Sequence, residues 1–330
     1  MNKSIRLLFL LLIAVSTHAV FAQSDINLTQ FYAAPTLYNP SAAGNTDFLR
    51  IRGGARLQWL GIENAPQSFV GTADMPFKVG KNRVGVGVAL IQSSEGLYKS
   101  LNMGVQAAYK IYKWGGAWSV GVRVGFYDQA FKGSELYLPS DDDYHEGTDD
   151  ALPTNDIHGT ALDLDAGIWY EHPKFYAGIS CTHLTSPTVT MNAENSSGGS
   201  ETSGDRKYQF QADRTLYFTA GCNIPVKNTL FEIMPAILVK SNFTFTTAEI
   251  MARGRYKKFL SFGIGYRWDD AVTATVAAEI KNFYIGYSYD YATSAIHSAS
   301  SGSHEVFVGY SMKLNLNDKN KNRHKSVRIM

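Results

Sequence analysis

Long uncharged apolar runs are missing from almost all of this chain. After Leu7 to Val15, no window is long and apolar enough for a spanning helix. Charge is also thin: Asp, Glu, Lys and Arg make up 18% of the residues, against roughly 25% in soluble domains. Cysteine is nearly absent, with only Cys181 and Cys222. Both fall on segments that read as neighbouring strands, where an exported protein can oxidise them; two small thiols on apolar faces is the plainer reading. No nucleophile elbow or HExxH motif occurs. An enzyme is therefore not expected, nor is any cofactor. The formal net charge is +2, and losing Lys3 and Arg6 with an export signal leaves about zero, which gives no basis for nucleic-acid binding.

What is present begins with that signal. Lys3 and Arg6 form a positive n-region, Leu7 to Val15 are almost wholly apolar, and Val20 and Ala22 fit a small-residue cleavage rule. Residues 1–22 are thus assigned as a signal peptide, and the mature chain starts at Gln23. No cysteine follows the cut, which argues against a lipid anchor there.

The dominant signal is a period of two. Phe283, Ile285, Tyr287, Tyr289 and Tyr291 share one face of a strand, and Val272, Ala274, Val276, Ala278 and Ile280 share one face of the strand before it. Leu101, Met103, Val105, Ala107, Tyr109 and Ile111 likewise oppose Asn102, Gly104, Gln106 and Lys110. Behind a signal peptide, this alternation predicts a transmembrane antiparallel β-barrel, apolar toward outer-membrane lipid and polar inside. Aromatic residues at 13% suit the girdles of such a barrel. About fourteen strands are predicted. They centre near 48–59, 67–76, 83–93, 98–111, 117–131, 159–171, 174–184, 208–224, 229–240, 243–255, 258–268, 271–281, 282–292 and 304–316.

The connections alternate in length. Short turns, each with a lysine, fall at Phe77–Asn82, Lys113–Gly116, His172–Lys174, Pro225–Asn228, Tyr256–Lys258 and Lys281–Asn282. The alternate connections include Lys132–His158, Thr185–Lys207 and Thr293–Ser303. Short periplasmic turns and long extracellular loops are what an outer-membrane barrel shows, and a soluble sandwich has no reason to sort its loops. The expected organisation is a signal peptide (1–22), an N-terminal segment that is a candidate plug (23–46), a barrel (47–316) and a basic periplasmic tail (317–330).

Several clusters invite chemistry. The loop from Ser140 to Asp156 is acidic, with Asp141, Asp142 and Asp143 at its start. Calcium could sit there loosely, but the spacing is not that of an EF-hand, and a solvated loop is the commoner arrangement. The Ser/Gly-rich stretch from Asn192 to Asp205 reads as a flexible loop, with a lid or partner contact as the alternative. His158, Asp163, Asp165 and His183 lie near strand ends, yet Asp163 and Asp165 share a polar face and read as lumen lining. The tail carries Lys319, Lys321 and Arg323, either solvated or facing an acidic partner. Arg50, Arg52, Arg56 and Gln58 share one face, and several arginines toward lipid are costly, so they are expected inside.

The stretch from Gln30 to Pro76 carries more than a barrel needs. Gln30 with Phe31 and Tyr32, Asn39-Pro40, Gly44, Arg56-x-Gln58-Trp59, Ala65-Pro66 and Asp74-x-Pro76 occur in order. This pattern resembles the PorP/SprF family of type IX secretion membrane proteins over nearly the whole mature chain. Ser41 departs from the alanine often found after Asn-Pro. The resemblance implies an outer-membrane barrel of gliding and related Gram-negative bacteria, serving either the core apparatus or one secreted adhesin. It supplies no catalytic residues. The expected partners are lipid, a secreted adhesin or its C-terminal signal, and periplasmic secretion components. The alternative is an outer-membrane channel for small solutes, with inward arginines selecting anions.

Overall fold

Alternating side chains fix a sheet with two unlike faces, and closing that sheet removes every edge that lipid could not satisfy. In the computed structural model, which describes residues 25–80, 82–136, 153, 155–193 and 206–315, fourteen antiparallel strands form one closed barrel. They are Phe48–Leu57, Gln67–Val79, Asn82–Glu95, Tyr98–Lys113, Gly116–Lys132, Asp156–Glu171, Phe175–Thr182, Thr215–Cys222, Phe231–Ser241, Thr246–Tyr256, Leu260–Arg267, Ala271–Ile280, Phe283–Ala292 and Ser303–Lys313. The ring closes between the first and last, with Phe48 opposite Lys313 and Leu57 opposite His304. The assigned signal peptide, the acidic run Asp141–Asp143 and the tail residues Lys319, Lys321 and Arg323 lie outside the described residues.

The outward face is the apolar one. Val105, Leu162, Ile264, Phe283 and Ile285 are each more than half exposed, which only a lipid surround makes favourable over so wide a surface. Exposed aromatics mark both rims, Tyr112 and Trp114 beside the short turns and Phe243 and Trp268 beside the alternate connections. The inward face carries Arg52, Arg56, Gln106, Lys110, Arg123, Glu249, Arg267, Asp290 and Glu305, all buried. The expected inward arginines are therefore found inside.

One element differs from the sequence reading. The predicted strand over 208–224 is two elements, because Arg206–Gln211 pairs with Thr188–Ala193 in a separate hairpin and only Thr215–Cys222 enters the wall. The hairpin folds over the long-loop end. Its Val189 and Met191 pack on Phe131 and Ile157, inward residues of two neighbouring strands. The cysteines follow the plainer reading of two separate thiols. Cys181 stands opposite Leu216, whereas Cys222 stands opposite Phe175, six positions further along the same strand pair. At about 3.3 Å per residue that is roughly 20 Å, far beyond disulfide reach. The thiols are free. Mass spectrometry after alkylation of the denatured, unreduced protein should find two modified cysteines; a 181–222 cross-link would contradict the register.

Candidate functional site: the occupied lumen

Residues 25–46 do not lie outside the wall. Three short 3-10 turns, Phe31–Ala33, Pro35–Leu37 and Pro40–Ala42, carry the segment through the lumen. Proline at the first position of two of them presets φ, and Asn39 caps the third by accepting a hydrogen bond from Ser41 N at 2.9 Å. Phe31, Leu37, Ala42 and Ala43 are almost completely buried. Wall polarity meets backbone polarity here, so the segment is held by hydrogen bonds as well as by packing.

At the long-loop end, Asp25 is the first described residue of the segment. Its carboxylate accepts from Tyr217 Oη at 2.7 Å and Thr182 Oγ1 at 3.2 Å, and lies 3.4 Å from His183 Nε2, while Lys240 donates to its carbonyl. His183 Nδ1 lies 2.8 Å from Asp163 Oδ2, a charge contact off the hydrogen-bond line. Burial alone would raise the Asp25 carboxyl, but the His183 charge and the bonds from His183 and Tyr217 hold it well below the usual carboxylate range. Burial opposes the His183 imidazolium, yet Asp25 and Asp163 together raise it well above its ordinary value.

The signs give a pH window. The contribution of His183 is full below its ordinary value of 6.5 and is lost as pH rises through the raised one; that of Asp25 is present above 3.8 and is lost as pH falls through the lowered one. Amide protection of residues 25–30, corrected for intrinsic exchange, should therefore be flat from mildly acid to neutral pH and decline on the alkaline side. His183→Gln should give low protection at every pH.

Next comes a knot of buried charge. Glu305 accepts from Thr29 N at 2.9 Å and Gln30 N at 2.8 Å, so one wall carboxylate satisfies two segment amides. Thr29 Oγ1 donates to Asp290 at 2.8 Å and accepts from Arg267 Nη2 at 2.9 Å. Arg56 lies 2.7 Å from Asp290 and 3.4 Å from Glu305, and Arg267 binds Glu249 at 2.9 Å and Asp290 at 3.2 Å. Gln30 accepts from Tyr284 Oη at 2.9 Å, and Gln58 accepts from Arg56 Nε at 3.4 Å. One turn further, the Arg253 guanidinium covers the Tyr32 ring at 3.3 Å.

Toward the short turns the wall thins to glycine. Asn39 Nδ2 donates to the carbonyls of Ile168 and Ile179 at 3.1 and 3.3 Å, and Arg123 donates to Leu37 O at 3.0 Å. Pro40 and Ser41 rest on Gly121, where a Cβ would come within 2.7 Å of Ser41 Cα. Gly44 turns at φ +61° and donates to Asp74 Oδ2 at 2.8 Å, while Arg50 grips the same carboxylate at 2.9 Å. A Cβ on Gly44 would meet Gly85 Cα at 2.7 Å and Pro76 Cα at 3.0 Å.

The motif residues fall into three places. Gln30, Arg56 and Gln58 join the charge knot, with Tyr32 just below it. Asn39, Pro40, Gly44, Asp74 and Pro76 meet at the glycine floor. Trp59 and Pro66 instead fix the first long-loop connection: Trp59 N donates to Ser303 Oγ at 3.1 Å, and Gln58 N to Pro66 O at 2.9 Å. Sequence reading missed Asp25, Glu249, Arg267, Asp290 and Glu305, although the last four sit at inward parity within strands, the signal that did expose the arginines. His158 is exposed, so it does not join Asp163, Asp165 and His183. Those three bring one donor atom each within 4.8 Å of one another. However, Arg123 occupies Asp165 Oδ2, and Asn102 donates to Asp163 Oδ2 at 2.8 Å, so the group reads as an ion-pair network rather than a metal cradle.

Solved structures share the barrel outline at low identity. The CymD monoaromatic hydrocarbon channel is 11% identical with a TM-score of 0.49, over 90% of this chain and 96% of that one. The toluene transporter TodX of P. putida is 10% identical with a TM-score of 0.46, over 84% and 94% of the two chains. The outer membrane phospholipase A of Escherichia coli reaches 12% and 0.32, over 84% and 98%. At such values the likeness is one of barrel architecture, and what those proteins carry or cleave stays theirs. No curated protein matches in sequence. The decisive match is that of residues 20–310 to the family described as type IX secretion system membrane protein PorP/SprF. With that match and a closed outer-membrane barrel holding the motif residues, this chain belongs to the PorP/SprF family of type IX secretion system membrane proteins.

Proposed function

We propose that this barrel is a non-enzymatic accessory of type IX secretion rather than its conduit. The observation that carries the reading is the segment in the lumen, bonded to inward residues all around the ring. Two interior cavities beside its middle measure only about 40 and 20 Å³, near the volume of a single water, and the larger space of about 740 Å³ is confined to the short-turn mouth, where Asn45, Lys110, Trp114 and Glu171 line it. Such a lumen suits a plugged support and not a path for a polypeptide. In this reading the long-loop end faces the cell exterior and holds a secreted adhesin or its C-terminal signal. Asp141, Asp142 and Asp143 are candidate contacts there. The lysine-bearing short turns and the tail residues Lys319, Lys321 and Arg323 meet secretion components in the periplasm. Mass spectrometry of material co-purifying with the tagged protein tests this. An adhesin or type IX components, enriched over an unrelated barrel and lost with charge-neutralising variants of these groups, is the expected result. A clean preparation together with large steady bilayer currents would overturn it in favour of a channel.

A further inference from the structure

A cavity of about 110 Å³ opens at the long-loop end, between the hairpin and the start of the lumenal segment. That is space for about three or four waters. Tyr98, Tyr127, Phe210 and Tyr217 supply rings to its lining. Tyr127 lies parallel to Phe210 at 6.0 Å and edge-on to His183 at 5.3 Å, so the hairpin and the wall build one aromatic surface.

The charges of this cavity are unevenly spent. Its cations are engaged by the protein itself: Arg123 by Asp165, and His183 by Asp25 and Asp163. Lys240 nearby is turned to the Asp25 carbonyl. The exposed carboxylates of Glu95 and Asp213 also line the cavity, and their hydrogen bonds are long, from Ser93 Oγ at 3.4 Å and Asn242 Nδ2 at 3.4 Å. Among the described residues neither forms a salt bridge. Aromatic faces beside unspent carboxylates attract a cation by two routes, ring quadrupole and charge. They repel an anion, and an apolar group there would strip water from the carboxylates without replacing it.

We propose that this cavity receives one basic side chain, lysine or arginine, from an extracellular polypeptide. The alkyl stem lies along Tyr127 and Phe210, and the charged head pairs with Glu95 and Asp213. The inference rests on the reading that the long-loop end meets a secreted protein, and it names the chemistry of that contact.

Calorimetric titration of the detergent-solubilised full barrel with Nα-acetyl-lysine amide, Nα-acetyl-arginine amide and uncharged Nα-acetyl-norleucine amide tests it. The expected result is saturable millimolar binding of the two charged probes, weakened about tenfold or more in a Glu95→Gln/Asp213→Asn variant, as loss of a roughly 1.4 kcal/mol contact requires. The melting temperature of that variant should match the parent, since both carboxylates are exposed. No saturable binding, equal binding of the norleucine probe, or binding unchanged in the double variant would each overturn the assignment. The two readings can fail separately. Charged probes that bind while no secreted protein co-purifies leave the cavity assigned and remove the client. A client retained by a barrel that ignores the probes does the reverse.

Discussion

Arg267→Met should be among the most damaging single substitutions in this barrel, lowering the unfolding free energy in micelles by about 3–5 kcal/mol. The side chain is almost completely buried, and its guanidinium serves Glu249, Asp270, Asp290 and Thr29 at once. Methionine fills the space but removes the ion-pair partner that Glu249 has among the described residues, and leaves Asp290 to share Arg56 with Glu305. The low local dielectric that strengthens the intact knot makes the broken one expensive. Arg267→Lys should recover part of the loss. It restores the charge but not the planar fork that reaches several oxygens in different directions. Urea unfolding followed by tryptophan fluorescence measures both. A methionine variant within about 1 kcal/mol of the parent, the range of a surface pair, would mean that the knot contributes little and that the segment is held by packing.

The second large effect belongs to the glycine floor. Gly85→Leu should unseat the lower half of the lumenal segment while leaving the wall folded. A Cβ at Gly85 would fall 1.9 Å from Ala43 O and 2.5 Å from Ala43 C, and those are backbone atoms that cannot rotate aside. Overpacking of this kind usually costs about 1–3 kcal/mol, but here the segment can relieve it by leaving. The readouts are protease cleavage within residues 35–46 and single-channel conductance, both expected in the variant and not in the parent. Gly254→Leu is the control, because nothing lies within 4 Å of a Cβ there. A Gly85→Leu barrel that stays closed and protected would show that the wall, rather than the segment, gives way.

Much of this was legible from side-chain order alone, and the reason is physical. Lipid on one side and polar filling on the other impose strict alternation, so rows such as Leu101 to Ile111 announce their strand directly. The inward arginines were legible by the same logic, since lipid tolerates them poorly. The hairpin was not. Thr188–Ala193 and Arg206–Gln211 are six residues each, separated by a Ser/Gly-rich stretch, and the second runs almost straight into a wall strand. Nothing local says that the chain leaves the sheet at Ala212. The partners of the lumenal segment were illegible for another reason. Asp25 meets His183 and Thr29 meets Glu305 across 158 and 276 residues, and no spacing rule links such positions. The glycines were visible, but which of them pave a floor depends on what comes to rest there.

A threaded lumen also constrains the order of events during folding. The first wall strand must pair with the last to close the ring, and the segment inside immediately precedes the first strand. A ring that closed first would have to admit at least the 22 described residues 25–46 through a passage already lined with unpaired charge. The segment is better viewed as a mandrel around which the sheet curls, offering Thr29, Asn39 and Gly44 as successive docking points for strands arriving from different parts of the sequence. Such long-range closure makes folding slow. It also means that a chain trimmed before Phe48 would lose more than a stopper: it would lose the template on which its own cylinder is wound.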